Sequence, residues 1–223
     1  ILSYSQFGGL NKAGILYTQG DYLQQQGRQE DAIAKFDEAI RLDPQHVGAY
    51  NNRGRAYFSL GQHGRAIRDF DEAILLDPQD TLSYSNRGSA YHTLGQFQRA
   101  IQDFDESIRL DPQFAETYIN RGGAYFSLGQ NERAIREFDA GIRLDSQRTK
   151  SYVARGNAYF NLGQYQRAIQ DYNAGILLDP RRTKAYLGRG NAHFNLGQYQ
   201  RAIQDYDIAT SLNLRYALAY RNR

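Results

Sequence analysis

The apolar residues of this chain fall at helical spacing, in pairs of segments separated by a glycine. Steps of three or four positions connect a first set, which consists of Tyr50, Gly54, Tyr57 and Leu60. Similar helical steps connect a second set after Gly61, which consists of Ala66, Ile67, Phe70, Ala73 and Ile74. Residues at such steps share one face of an α-helix. The pattern therefore predicts two amphipathic helices joined by a tight turn.

This helix pair recurs every 34 residues through nearly the whole chain. One slot of the unit holds an interior glycine: Gly20, Gly54, Gly88, Gly122, Gly156 and Gly190. Another slot holds an aromatic residue: Phe36, Phe70, Phe104, Phe138, Tyr172 and Tyr206. The segment FNLGQYQRAIQDY stands at 160–172 and again, unchanged, at 194–206. Repetition at this period is typical of a solenoid, in which stacking on neighbouring units stabilises each unit.

Glycine and proline set the predicted helix ends. Leu60-Gly61 is expected to end the first helix, because glycine adopts the left-handed cap conformation at little cost. Asp77-Pro78 is expected to end the second helix, because proline disfavours helix in the residue before it. The interior Gly54 costs about 1 kcal/mol relative to alanine. We therefore expect two helix backbones to approach closely at this glycine.

These motifs resemble the tetratricopeptide repeat (TPR) family. The resemblance implies an all-α fold, namely a right-handed superhelical solenoid of stacked antiparallel helix pairs. The predicted repeats are residues 13–46, 47–80, 81–114, 115–148, 149–182 and 183–216. They are expected to form a single solenoid, with a lead-in at 1–12 and a partial seventh repeat or cap at 217–223. The chain opens at Ile1 and its last five residues repeat the start of a unit, so we expect a fragment of a longer protein.

One slot departs from the family pattern. Arginine precedes the interior glycine, where the family commonly has leucine, in five repeats: Arg53, Arg87, Arg121, Arg155 and Arg189. We expect these side chains to pair with Asp or Glu on the helices.

The composition points away from catalysis. The chain has no cysteine, which excludes disulfides and thiolate chemistry. Its four histidines, His46, His63, His92 and His193, occupy different slots and form no metal-ligand pair. No phosphate-binding loop or nucleophile motif is present. We predict a protein that is not an enzyme and has neither cofactor nor metal.

Two sets of side chains on the first helices are candidate peptide-binding residues, because the family resemblance implies that these helices line a concave groove. An amide offers both a donor and an acceptor to an extended peptide backbone. The amides are Asn52, Asn86, Asn120, Asn157 and Asn191. The aromatic residues beside them are Phe58, His92, Phe126, Phe160 and Phe194. These rings could pack against a peptide or against the neighbouring helix pair.

Charge is unevenly distributed along the chain. Residues 1–114 hold 11 Lys and Arg against 15 Asp and Glu, whereas residues 115–223 hold 16 against 9. Cations recur at the predicted starts of two first helices: Arg148, Lys150, Arg181, Arg182 and Lys184. Helix N-termini already favour anions. The sequence therefore predicts an anion or acidic-partner site in this basic ridge, the alternative being exposed charge that serves solubility.

The function that these observations favour is a protein–protein interaction scaffold, which binds an extended peptide or a partner helix. Nucleic-acid or polyanion binding by the basic half is an alternative, although stacking aromatics are not interleaved with the arginines. Another alternative is a regulatory or substrate-recruiting role within a larger enzyme. We also expect self-association through the ends of the solenoid. The sequence contains no run of 18 apolar residues and so does not predict membrane insertion. The sequence predicts a soluble protein and slightly favours a cytoplasmic one, with an exported protein as the alternative.

Overall fold

The computed structural model describes the backbone of residues 12–221 and the side chains of residues 12–212. This part of the chain is helical, with no β-strand. The helices are α1 (Lys12–Gln25), α2 (Gln29–Leu42), α3 (Val47–Ser59), α4 (His63–Leu76), α5 (Thr81–Thr93), α6 (Phe97–Leu110), α7 (Ala115–Ser127), α8 (Asn131–Leu144), α9 (Thr149–Asn161), α10 (Tyr165–Leu178), α11 (Thr183–Asn195) and α12 (Tyr199–Arg221). The predicted all-α fold of two helices per repeat is confirmed.

The chain divides into two compact units, residues 1–112 and 113–223. Helices α1–α6 form the first unit and α7–α12 the second. Within each unit every helix packs against the next, and consecutive first helices of the repeats also touch. The backbones of consecutive second helices do not approach each other as closely among the described residues. The first helices thus form the inner row of each unit. That all six repeats form one solenoid stays a prediction.

Glycine ends the first helix of each repeat, as the sequence predicted. Gly61 has a φ of +73°, and the equivalent glycines of the other repeats have φ between +72° and +77°. The N–H of Gly61 donates to the carbonyl of Phe58, and the N–H of Gln62 donates to that of Tyr57. This pair of bonds is the Schellman motif, which satisfies the last carbonyls of α3.

Aspartate as well as proline defines the turn between repeats. Asp77 follows the last residue of α4, and its side chain accepts from the N–H of Gln79 at 2.9 Å. Asp145 forms the same turn with Gln147 at 3.1 Å although Ser146 replaces the proline. The side-chain bond mimics a backbone turn. Proline is therefore not required for the helix to end here.

The interior glycine makes room for an aromatic ring rather than for a second backbone. A Cβ built on Gly54 would lie 2.6 Å from Cε1 of Phe70, and the same close approach occurs between Gly88 and Phe104. Phe70 is 1% exposed and also packs near Ala90 of the following repeat. The expectation of a close backbone approach was wrong at this slot, because the ring fills the space between the two helices.

The predicted arginine pairing is confirmed. Arg53 in α3 forms two hydrogen bonds to Asp69 in α4, of 2.9 and 2.7 Å, and a third of 2.6 Å to Asp37 in α2. Arg87 repeats this arrangement. Arg155 does so in the second unit. Arg189 binds Asp205 twice and the amide oxygen of Asn173 once, and Arg121 binds Glu137. Each such arginine ties the two helices of its own repeat together, and most of them also reach the preceding repeat.

The predicted lead-in and the predicted partial seventh repeat or cap lie at the two ends of the chain. The lead-in lies almost wholly outside the described residues, as do Asn222 and Arg223. Helix α12 continues through Arg221. Asn213-Leu214 occupies the slot in which most other repeats have the Asp-Pro pair that ends the second helix. Within residues 12–212, every helix is too short or too polar to span a bilayer.

Candidate peptide-binding face

In the first unit, the candidate amide Asn52 is buried between two repeats. Its side chain is on α3, and the residue is 7% exposed. Its Nδ2 donates to the hydroxyl of Tyr17 and to Asp21 on α1, both at 3.2 Å, and its Oδ1 accepts from Arg55 at 3.0 Å. This amide joins repeats one and two.

Asn86 is also engaged by the neighbouring repeat. Its Nδ2 donates to Oδ1 of Asn51 at 2.7 Å. Asn51, which is 6% exposed, donates in turn to Asp80 at 2.9 Å and to the hydroxyl of Ser83 at 2.8 Å. Asp80 also accepts from the backbone N–H of Ser83 and so caps α5. The sequence analysis missed this buried polar network, although Asn51 adjoins Asn52.

In the second unit, the amides differ in exposure. Asn120 is half-buried in α7, whereas Asn157 and Asn191 are exposed on α9 and α11. The hydroxyl of Tyr172 donates to Oδ1 of Asn157 at 2.8 Å, and that of Tyr206 donates to Asn191 at 2.8 Å. The amide carbonyls are therefore held by the second helix of the same repeat.

A tyrosine in the aromatic slot explains why one amide position is lost. Tyr172 is 1% exposed, and burial raises the pKa of its hydroxyl, which stays protonated and donates. A Cβ on Gly188 would lie 2.5 Å from Cζ of Tyr172. The slot that holds Asn52 in the second repeat therefore holds glycine here, because a larger residue would meet the ring.

Four of the five candidate rings lie against their own or the next helix pair. Phe58 contacts the ring of His63, with centroids 5.1 Å apart, and lies in a cluster with Ala90 of the following repeat. Phe160 contacts Tyr165 in the same manner, at 5.3 Å. His92 and Phe126 are likewise half-buried. Their half-burial favours the alternative that these rings pack against the neighbouring helix pair and not against a peptide.

Phe194 is the exception among the candidate rings. It is 57% exposed, and the ring of Tyr199 that contacts it is 55% exposed. Phe194 lies three residues after Asn191 on α11, so the two side chains lie on the same side of the helix. An exposed ring and an exposed amide are thus adjacent in the sixth repeat.

The basic ridge lies at two helix starts, as predicted. Arg148 and Arg182 immediately precede α9 and α11, and neither caps its helix with a side-chain hydrogen bond. Arg148 binds Asp145 at 2.9 Å and Glu116 at 3.3 Å, so its charge is partly neutralised. Lys150 and Lys184, one repeat apart, are exposed.

Arg181 and Arg182 differ in their surroundings. Arg181 is exposed in the turn before α11. The Nε atom of Arg182 is shielded from solvent and has no hydrogen-bond partner among the described residues. Whether these five cations bind an anion stays a prediction.

A further row of cations escaped the sequence analysis. Arg65 donates to Oε1 of Gln62 at 3.0 Å and lies over the ring of Tyr57, 5.5 Å from its centroid. Equivalent Gln–Arg bonds recur in four later repeats: Gln96–Arg99, Gln130–Arg133, Gln164–Arg167 and Gln198–Arg201. The regular spacing of Gln and Arg by three positions was the signal that could have revealed this row.

Within residues 12–212, no group of His, Asp or Glu side chains is arranged to hold a metal ion.

Comparison with family models decides the classification. A model described as tetratricopeptide repeat matches residues 17–81 and 153–213, which is more than half of the chain. Two other models of this repeat match within residues 70–163. The chain belongs to the tetratricopeptide repeat family.

Solved structures of TPR proteins share this fold. A Parabacteroides merdae TPR protein is 20% identical, with a TM-score of 0.72 over 93% of this chain and 82% of its own. TTC0263, a thermophilic TPR protein of Thermus thermophilus, is 20% identical, with a TM-score of 0.69 over 82% of this chain and 99% of its own. YrrB, a TPR protein with an unusual peptide-binding site, is 20% identical, with a TM-score of 0.63 over 84% of this chain and 96% of its own. No curated protein matches this TPR chain.

Proposed function

We propose that this TPR chain is a non-catalytic scaffold that binds an extended peptide along the inner row of first helices. The family favours an interaction scaffold, and YrrB shows that a protein of similar fold has a peptide-binding site. The proposal goes further by assigning the binding to α9 and α11 of the second unit, where exposed amides recur one repeat apart.

The observation that carries this proposal is the state of Asn157 and Asn191. Both side chains are exposed, and both carbonyl oxygens accept a hydrogen bond from a tyrosine of the same repeat. No described side chain or backbone group accepts a bond from either Nδ2. Each amide group therefore has N–H donors that are available to the carbonyls of an extended peptide. Phe194 adds an exposed ring beside the second amide.

The amides of the first unit support a different role. Asn52 and Asn86 already bind neighbouring repeats. A peptide could use them only by replacing those bonds, at a cost comparable to the bonds that it would gain. We therefore assign peptide binding chiefly to the second unit.

The test begins with selection of binding peptides from a random library on the whole chain. The selected peptide is then titrated against the double variant Asn157→Ala/Asn191→Ala. Loss of about 1 kcal/mol per hydrogen-bonding side chain predicts a Kd that is roughly thirty-fold weaker. Circular dichroism is expected to show unchanged helical content, because both residues are exposed.

A matched control is available on the second helices of the same repeats. Gln166 on α10 and Gln200 on α12 also have amide side chains, are one repeat apart and are exposed. Gln166→Ala/Gln200→Ala is expected to leave the Kd nearly unchanged, because these residues do not lie on the first helices. Equal weakening by the control, or no weakening by Asn157→Ala/Asn191→Ala, would remove the amides from the binding face.

The basic ridge supports an acidic partner as a more specific version of this function. Lys150 and Lys184 are exposed in the first turns of α9 and α11, seven residues before the proposed amides on the same helices. Cations at a helix N-terminus add to the attraction of its N–H groups for carboxylates. Peptides selected on this chain are accordingly expected to be enriched in Asp and Glu.

A further inference from the structure

A cavity of about 570 Å³ opens in the first unit at the turn of the second repeat. Residues at the start of α4 line one side, and Leu94 from the turn of the third repeat lines another. The cavity is shallow and broadly open to solvent. The inner-row amides of the second unit are not among its lining residues, so what binds here is independent of the proposed peptide site.

The cavity owes its size to a glycine that only this repeat has. Gly64 is the second residue of α4, and a Cβ built on it would meet nothing within 4 Å. The other five repeats have a long side chain at this slot: Glu30, Gln98, Glu132, Gln166 and Gln200. The absence of that side chain leaves open the space above the first turn of α4.

Two guanidinium groups line the same cavity. Arg65 is held in place by Gln62 and by the ring of Tyr57. Arg68 is exposed and forms no hydrogen bond or ion pair with any residue in the described part of the chain. Repeats three, five and six have glutamine in place of Arg68, and the fourth repeat combines arginine with Glu132. The second repeat alone therefore combines an open first turn with two arginines and no carboxylate at the Gly64 slot.

The start of α4 adds backbone donors to this place. α4 begins at His63, and Gln62 supplies no side-chain cap to it. The first N–H groups of a helix lack intrahelical acceptors and carry partial positive charge. The Nδ1 atom of His63 is shielded from solvent and has no partner among the described residues, while the ring packs against Phe58. The two arginines thus lie in the first turns of an uncapped helix start.

We propose that this cavity binds a phosphate monoester. The planar fork of an arginine matches two phosphate oxygens, and two arginines match the double charge that a monoester has near neutral pH. The uncapped N–H groups of α4 bind the third oxygen. Leu94, which is 45% exposed, contacts the organic body of the ester. A carboxylate has only one charge and two oxygens for the same set of donors and binds more weakly.

The experiment is a titration of the whole chain with phenyl phosphate, followed by the backbone amide resonances of His63 and Gly64. Saturable shifts at these two residues are expected, and benzoate is expected to bind at least ten-fold more weakly. Raising the salt concentration is expected to weaken binding of phenyl phosphate, because both arginines are exposed. Shifts confined to other residues, or equal affinity for benzoate, would overturn the proposal.

The decisive variant is Gly64→Gln/Arg68→Gln. It gives the second repeat the residues that the third repeat has at Gln98 and Gln102, so the fold is expected to tolerate it. The Kd for phenyl phosphate is expected to rise at least ten-fold. Arg136→Gln, at the slot of Arg68 but beside Glu132, is the matched control and is expected to leave the Kd unchanged. An unchanged Kd in the double variant would refute the site.

Two sources of the ester are then distinguished with a peptide that contains phosphotyrosine. Affinity for the phosphopeptide at least ten-fold above that for phenyl phosphate would indicate a phosphorylated partner protein. Similar affinities would indicate a free organic phosphate. Either result, if abolished by Gly64→Gln/Arg68→Gln, supports a phosphate monoester site in this cavity.

Discussion

The arginine that connects three helices of the first unit makes a sharp test of what holds the repeats together. Arg87 on α5 donates to Asp103 on α6 at 2.7 and 2.9 Å, and to Asp71 on α4 at 2.7 Å. The side chains of Arg87 and Asp103 are 20% and 9% exposed, whereas that of Asp71 is 49% exposed. Arg87→Met keeps the aliphatic stem, removes all three bonds and leaves the buried Asp103 without its cation.

The expected loss follows from these distances and exposures. Two unit charges about 4 Å apart interact by about 4 kcal/mol at an effective dielectric constant of 20. Removing one partner of a buried pair typically costs about 3–5 kcal/mol. The exposed bond to Asp71 contributes less than about 1 kcal/mol. Arg87→Met is therefore expected to lower the free energy of unfolding by about 3–4 kcal/mol at neutral pH.

The loss is also expected to depend on pH. Burial raises the pKa of Asp103, while the hydrogen bonds and charge of Arg87 lower it. Without Arg87 the folded-state pKa rises further above the unfolded value. A raised folded-state pKa destabilises the fold at higher pH, and this penalty disappears as the pH falls toward the unfolded pKa. The variant is therefore expected to recover part of its lost stability, relative to the wild type, between about pH 7 and pH 4.

Urea unfolding followed by far-UV circular dichroism measures the loss at each pH. Arg109→Met removes an exposed pair with Glu106 and is expected to change little. Arg87→Met/Asp103→Leu removes both buried charges and is expected to regain most of the stability, because an apolar pair of similar size often replaces a buried ion pair. The reasoning is refuted if both single variants lose equal stability, or if the loss in Arg87→Met is the same at every pH.

Two further predictions test packing and charge. Gly122→Ala is expected to lower the free energy of unfolding by about 1–2 kcal/mol, because its Cβ would lie 2.7 Å from Cε1 of Phe138. The neighbouring Gly123→Ala, whose Cβ would meet nothing within 4 Å, is expected to raise it by about 0.5–1 kcal/mol. Urea unfolding measures both. The opposite order would contradict the proposed role of the interior glycine. Lys150→Ala/Lys184→Ala is expected to weaken a selected acidic peptide and flatten the salt dependence of its Kd, and an unchanged slope would exclude the ridge.

The sequence by itself determined the helices, the turns and the type of partner for the arginine slot. These features depend on interactions within a few residues or within one helix pair, which every repeat reproduces. Gly61 ends α3 because its own N–H donates to the carbonyl of Phe58 and the N–H of Gln62 donates to that of Tyr57, so the bonds span three and five residues. Arg53 binds Asp69 because the two residues lie on the adjacent helices α3 and α4 of one repeat. Repetition makes such local patterns visible in a single chain.

Only the tertiary structure decided which candidate residues are available to a partner. Asn52 and Asn86 occupy the same slot one repeat apart, yet Asn52 binds Tyr17 and Asp21 whereas Asn86 binds Asn51. Asn157 lies three positions later in its repeat and is exposed. The side chains on the neighbouring helix decide what each amide binds.

The repeated segment FNLGQYQRAIQDY shows this limit most directly. Phe160 and Phe194 lie in identical thirteen-residue surroundings along the chain. Phe160 is half-buried in a cluster that includes Ala192 of the following repeat, whereas Phe194 is 57% exposed. The sequence of a repeat determines which side chains face the neighbouring repeat. Their burial depends on what packs there, because solvent is excluded by contact between repeats and not by the order of residues within one.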